Sequence, residues 1–228
     1  MQGSSKGLFL GAKGGNNGES HNHNDVGNFV LYLDGEPALI DVGVGTYSAQ
    51  TFGKDRYKLW YMQSQWHNLP TINGIMQHEG GQYKAHNVTY KSTPNGGEFE
   101  LDIASAYPEE AHVKKWFRKL TFDDKANVMT LNEKYELSQF VTLPVLHFVT
   151  TLEKVEKTGE GKVKLSKNQT SLNIEYDEQR FDFKHEQKPC EDTKLEHYWG
   201  KHVTRLIFTE KIKNNVLSGA LELKFKMN

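Results

Sequence analysis

Residues 113–137 read VKKWFRKLTFDDKANVMTLNEKYEL. Two alternating runs flank the polar segment DDKAN. A period of two places Trp116, Arg118, Leu120 and Phe122 on one face and Phe117, Lys119 and Thr121 on the other. The polar segment between them reads as a hairpin turn. The same pattern recurs along the chain in GLFLGAK (7–13), GNFVLYLDG (27–35), EPALIDVG (36–43) and GGEFELDIASAY (96–107). It continues in PVLHFVTTLEKV, TSLNIEYD, TRLIFTEKI and SGALELKFKM, each bounded by Gly, Asn, Pro or charged residues. Only DRYKLWYMQSQW (55–66) could carry a helical turn. EKTGEGK (156–162) reads as a turn rather than a linker, and no fixed-period repeat is present. These features predict one all-β domain over residues 1–228, an antiparallel sandwich or barrel.

With 36% hydrophobic and 25% charged residues, the 228-residue chain can bury a core. The balance of 28 basic against 29 acidic side chains argues against a global field for nucleic acid or an anionic membrane. No apolar run approaches the roughly 20 residues that span a bilayer. The opening MQGSSKGLFLGAKGG has no signal-peptide core, so the chain is expected to be cytoplasmic, mature or a piece of a longer protein. Cys190 is the only cysteine, which excludes an intrachain disulfide and a thiolate zinc knuckle.

Residues 11–28 depart from the strand pattern, being nearly all Gly, Asn, His, Ser, Asp and Glu. Such loops carry sites on rigid β scaffolds. If the stretch is extended, His21 and His23 project from one face, and two imidazoles with a carboxylate suit zinc. Asp25 is the nearest carboxylate. A hairpin about DGEP would return Asp41 to the level of the histidines, and His67 in QWHNLP is a further imidazole. Ordinary solvated loop histidines would give the same letters. Tyr47 and Tyr57 lie between Asp41 and His67, and a tyrosine can act as a general acid or base. Lys54, Arg56 and Lys58 flank Tyr57 and would suit an anionic ligand. His78, His86, His112, His185, His197 and His202 read as solvated, and His147, within PVLHFVT, as a core histidine with a satisfied ring.

GGNNGESHNHNDVGNFVLYLDGEPALIDVGVGTY followed by WHNLPTING resembles the heparinase II/III-like domain of polysaccharide lyases, over about residues 7–74. The resemblance implies a β-sandwich that packs, in the full enzyme, against an N-terminal α/α toroid, with the catalytic cleft between them. It further implies zinc held by His23, Asp41 and His67, a substrate-facing His21, and a catalytic or substrate-contacting tyrosine at Tyr57, with Tyr47 second. Asn22, Arg56 and Asn68 are then expected to contact an anionic glycan of the heparin, heparan sulfate or alginate type. Family members are typically periplasmic or secreted.

These residue types suit β-elimination. The C5 proton of a uronate becomes acidic once its carboxylate is held by oriented donors such as histidine and asparagine. A base removes that proton while an acid, commonly tyrosine, protonates the leaving oxygen. Zinc would pin the loops that carry these groups. The toroid and its own catalytic residues have no counterpart in this sequence, so the chain alone is expected to be catalytically poor. Two other readings use the same residues: a non-catalytic carbohydrate-binding or scaffolding sandwich, and a hydrolase in which zinc activates water.

Overall fold

The structure, a computed structural model, describes residues 6–211 and 216–227. The hairpin at 113–137 forms as the alternation predicts. Val113–Asp123 pairs antiparallel with Val128–Leu137, and Trp116, Arg118, Leu120 and Phe122 all face inward. It lies within an eight-stranded sheet. In spatial order the strands are Lys154–Gly159, Lys162–Lys167, Thr170–Tyr176, Ser218–Met227, Val128–Leu137, Val113–Asp123, Gly96–Asp102 and His86–Thr93.

The facing sheet runs Leu8–Ala12, Phe29–Leu33, Glu36–Leu39, Val145–Thr150, His202–Glu210 and Phe181–Pro189, with Pro70–Thr71 also paired to Val145–Thr150. Side chains of both sheets close one core. Phe29 and Phe148 of this sheet meet Phe225 of the other at ring separations of 6.2 and 5.2 Å. The sandwich form of the all-β expectation is therefore the one adopted.

A second, smaller apolar cluster lies apart from that core. It joins Ile40, Val42 and Val149 to Tyr61, Met62, Trp66, Leu195 and Val203. The segment 55–66 covers this cluster as three single 3-10 turns, Arg56–Lys58, Trp60–Met62 and Ser64–Trp66, rather than as one helix. Its aromatics are spaced to dip into the cluster, with no sustained helical stripe to bury.

Some boundaries differ from expectation. The run at 36–43 leaves the sheet after Leu39, and 96–107 ends as a strand at Asp102, before a 3-10 turn at Ala104–Ala106. The turn in EKTGEGK narrows to Glu160–Gly161, where Gly161 takes φ +62°. Ile212, the last residue of TRLIFTEKI, lies outside the described residues. Strands Gly80–Lys84 and His86–Thr93, strand Phe181–Pro189 and helix Thr193–Trp199 were not anticipated. No helix among the described residues is long and apolar enough to cross a membrane.

Candidate functional site

The turn at Asp34–Gly35 starts the site. Both residues have positive φ, +52° and +86°, the conformation that matches the twist of a tight hairpin. Phe29–Leu33 and Glu36–Leu39 pair across it, with Leu31 opposite Leu39. Two residues further, the chain brings Asp41 level with the start of the first strand, where Asn28 Nδ2 donates to Asp41 Oδ2 at 3.0 Å. The hairpin about DGEP thus returns Asp41 to the strand start beside the histidine loop.

The histidine stretch is coiled, not extended, which corrects the premise that His21 and His23 share a strand face. His21 adopts φ +59°, and turns closed by Asn22 N–H to the Glu19 carbonyl and Asn28 N–H to the Asp25 carbonyl bracket the stretch. His21 consequently stays exposed while His23 goes inward, to 9% exposure. The loop is held from several sides. Asn24 N–H donates to the Met62 carbonyl at 3.0 Å, and Asp25 N–H donates to Asn17 Oδ1 at 3.1 Å. Gln77 both accepts from Val26 N–H at 2.9 Å and donates to the Val26 carbonyl at 2.8 Å. At Gly27, with φ +83°, a Cβ would meet Ile103 Cγ2 at 2.8 Å, so only glycine lets the loop pass there.

His23, Asp41 and His67 converge. His23 Nδ1 lies 3.2 Å from His67 Nε2 and 3.9 Å from Asp41 Oδ1, and His67 Nε2 lies 3.7 Å from Asp41 Oδ2. His67 is fully buried, and its Nδ1 donates to the Gln63 carbonyl at 3.0 Å. A neutral His67 therefore presents the bare Nε2 lone pair to His23 and Asp41. Two facing imidazole nitrogens and a carboxylate need a proton or a cation among them. A tetrahedral zinc with bonds of about 2.0–2.1 Å spaces its ligands roughly 3.3 Å apart. The observed separations are close to that spacing, and the Gln63 and Asn28 contacts are of the kind that orient metal ligands. These three residues could hold such an ion.

The electrostatics agree with a cation site. Burial, then the neighbouring His67, lowers His23 to about 4, so its ring is neutral and available as a ligand near neutral pH. Burial alone would raise Asp41, but His67, His23 and the Gly43 N–H outweigh it and hold the carboxyl below its usual range. Asp25 does not join the group. Burial raises its carboxyl, and Lys13 Nζ binds it at 2.8 Å.

Two of the three expected substrate contacts, Asn68 and Arg56, are engaged with the scaffold. Asn68 is fully buried, donating to the Phe29 and Ile40 carbonyls at 2.5 and 3.1 Å and accepting from Val149 N–H at 2.8 Å. Arg56 clamps the histidine loop through the Asn22 carbonyl, at 3.1 Å from Nε and 2.7 Å from Nη2, and also donates to the Thr51 carbonyl at 2.7 Å. Asn22 is itself buried, and among the described residues neither polar atom of its amide has a partner. Asn68 is thus closed off from a glycan, the guanidinium of half-buried Arg56 is engaged by carbonyls, and the Asn22 amide is left without a partner among the described residues.

The tyrosine beside His21 is Tyr47, whose hydroxyl lies 3.5 Å from His21 Nδ1. Tyr57 is half-buried against the smaller cluster, with the Arg56 guanidinium 5.9 Å from its ring centre. Of the remaining histidines, His78, His86, His185 and His197 are exposed and His112 and His202 half-buried. His147 is a core residue, yet only half satisfied. Its Nε2 meets Thr71 Oγ1 at 2.8 Å while Nδ1 has no partner among the described residues.

Three contributors escaped the sequence reading: Asn28, Gln77 and Arg118. Fully buried Arg118 donates through Nη1 to the Gly27 and Asn68 carbonyls at 2.8 and 2.7 Å, so the far sheet grips both arms of the site. Glu133, directly across the hairpin, holds Arg118 at 2.9 Å (Nε) and 2.5 Å (Nη2) and accepts from Trp116 Nε1 at 2.8 Å. The alternation does mark Arg118 as inward-facing, the one signal available for it.

Among solved structures, heparan sulfate lyase HepC from Pedobacter heparinus superposes with a TM-score of 0.73 at 19% identity, over 96% of this chain and 33% of that one. A heparinase III gene product matches at TM-score 0.69 and 16% identity, over 98% of this chain and 35% of the other. Another heparinase III gives 0.66 and 16%, over 91% and 30% respectively. The chain thus spans about a third of the length of these neighbours, and at such identities the likeness establishes the fold. No curated protein matches. The family model described as "Heparinase II/III-like, C-terminal" matches residues 8–187, which include the histidine loop, the Asp41 hairpin and His67, and the chain belongs to that family.

Proposed function

We propose that this chain is the β-sandwich half of a polysaccharide lyase that cleaves uronate-containing anionic glycans by β-elimination. In this reading zinc is held by His23, Asp41 and His67, and His21 faces the glycan. The observation that carries it is the opposite fate of two neighbouring histidines: His23 is buried in a three-ligand cluster, and His21 stands exposed beside it with Tyr47. Family membership and the lyase neighbours support the same conclusion.

The chemistry follows from where these groups sit. His21 donates to the uronate carboxylate and draws charge away from C5 as its proton leaves. A base takes the C5 proton, the C5–H electrons form the C4=C5 double bond, the C4–O bond breaks, and the departing oxygen takes a proton from an acid. Tyr47, in contact with His21, is the first candidate for that acid, and Tyr57, further along the same strap, is the second. Bound zinc supplies a cross-link that fixes the loop bearing His21 rather than a Lewis acid for the sugar. The remaining groups come from the rest of the parent protein, an α/α toroid packed over this face. Glycans of this class lie outside the cell, so the parent is periplasmic or secreted.

The test is product chemistry on the toroid-containing parent, with heparin, heparan sulfate and alginate as substrates. Elimination gives an unsaturated uronate that absorbs in the near ultraviolet, in step with new reducing ends. Reducing ends without absorbance would assign a hydrolase. Glycan binding without any cleavage would assign a non-catalytic module.

A further inference from the structure

With Arg56 and Asn68 engaged by backbone carbonyls, further groups are needed to grip the glycan. The face beside His21 carries a rim of exposed aromatics. Phe52 is 70% exposed and stacks on Tyr47, itself 47% exposed, at 5.3 Å and 28°. Together the two rings present a contiguous aromatic surface beside the candidate site, of the kind on which a sugar ring can stack. The rim is not loose. Arg56 binds the Thr51 carbonyl next to Phe52, and Thr46 N–H donates to Asp192 Oδ2 at 2.8 Å next to Tyr47.

Asp192 opens the helix Thr193–Trp199, accepting from the Lys194 and Leu195 N–H groups at 2.9 and 3.1 Å. This helix follows the end of the family match at residue 187. It is nonetheless docked on the site, because Trp199 Nε1 donates at 2.8 Å to the carbonyl of Val42, the neighbour of Asp41. The docking brings Lys194 Nζ to 5.4 Å from the Tyr47 ring centre. Tyr198, one helical turn on and 64% exposed, shares the helix face of Lys194. Among the described residues Lys194 makes no ion pair, whereas Lys13 and Lys58 are bound by Asp25 and Asp55.

We propose that Phe52, Tyr47, Lys194 and Tyr198 form a subsite for one acidic sugar residue of the glycan. The aromatic faces stack on its C–H surface, and Lys194 pairs with its carboxylate or sulfate. This rests on the lyase reading and adds where the non-reacting part of the substrate is held. Apolar faces flanking an unspent cation match an acidic saccharide, whereas a neutral sugar would leave the charge idle.

The experiment is a calorimetric or NMR titration of the zinc-loaded chain with four heparan sulfate tetrasaccharide preparations: native, desulfated, carboxyl-reduced, and both desulfated and carboxyl-reduced. The variants are Phe52→Ala and Lys194→Gln, both surface changes, with His21→Ala as the control for the site itself. Phe52→Ala should weaken the acidic probes about fivefold or more. Lys194→Gln should weaken them by about the same factor and flatten the salt dependence. Whichever singly stripped probe loses the effect of Lys194→Gln identifies the anion as carboxylate or sulfate. Wild-type affinity in both rim variants, with His21→Ala still impaired, would overturn the subsite, leave the lyase reading intact and assign the rim to contact with another domain. Equal affinity of the wild type for acidic and neutral probes would overturn both.

Discussion

The buried pair Arg118–Glu133 gives the sharpest quantitative prediction, because its removal should separate stability from metal affinity. Arg118→Met strips a fully buried carboxylate of its cation, a change that costs about 3–5 kcal/mol. It also orphans the Gly27 and Asn68 carbonyls, at roughly 1–3 kcal/mol each. The total, about 5 kcal/mol or more, rivals the whole stability of an ordinary domain. The double variant Arg118→Met/Glu133→Met removes the stranded charge. It leaves three orphans, the two carbonyls and Trp116 Nε1, offset by the roughly 1–4 kcal/mol that apolar replacement of a buried pair can return. A net loss of about 2–5 kcal/mol is expected, milder than in the single variant. Metal affinity should not recover in step. With the Asn68 carbonyl released, the His67 side of the cluster loses its register, and affinity should fall about 10–100-fold. Urea unfolding of chelated protein gives the stabilities, and competition against a chromogenic chelator gives the affinity. A double variant that binds metal within about twofold of wild type would refute the idea that the far sheet sets the site.

Other perturbations test separate links. His147 is held at about 3 by burial, then by Arg205, against an ordinary value of 6.5. The unfolded chain binds the extra proton first, so chelated protein should lose about 2 kcal/mol from this group between pH 8 and pH 5. The stability difference between wild type and His147→Gln across that window should carry the loss, and parallel pH profiles would contradict it. Gly27→Ala forces alanine into φ +83° against Ile103 and should destabilise by about 2 kcal/mol, read from the urea midpoint at unchanged slope. An unchanged midpoint would mean that the loop relaxes freely. In the parent enzyme, His21→Ala should abolish elimination while metal content stays at wild-type level, and loss of metal in that variant would undo the separate roles given to His21 and His23.

The regular part of the fold was legible where one face of a strand is buried. The hairpin at 113–137 shows this, and its alternation even turns Arg118 inward. What escaped lacks that contrast. His86–Thr93 is exposed on nearly every residue, and Phe181–Pro189 is an edge strand rich in charge, so neither carries a clean period of two. Helix Thr193–Trp199 announces itself only through Asp192 and is too short for a stripe.

At the site, the convergence of Asp41 followed from the hairpin, because a tight turn fixes which residues return level. The placing of Asn22, Arg56 and Asn68 did not. Their letters suit an anionic ligand and equally suit the carbonyls of a loop that has no strand to satisfy it; here the backbone claims Arg56 and Asn68, while the Asn22 amide is buried without a partner among the described residues. The choice between Tyr47 and Tyr57 turns on how the strap at 44–66 folds over the smaller cluster, which no local pattern encodes.

The most direct test of the account is the metal content of the purified chain by elemental mass spectrometry, before and after chelation, with His23→Ala, Asp41→Asn and His67→Ala alongside. The account predicts about one zinc per chain, lost on chelation and in each variant, with a fall in melting temperature, since an ion at a thousandfold excess over its Kd contributes about 4 kcal/mol. No metal in the wild type after incubation with zinc, or full occupancy in the variants, would contradict it.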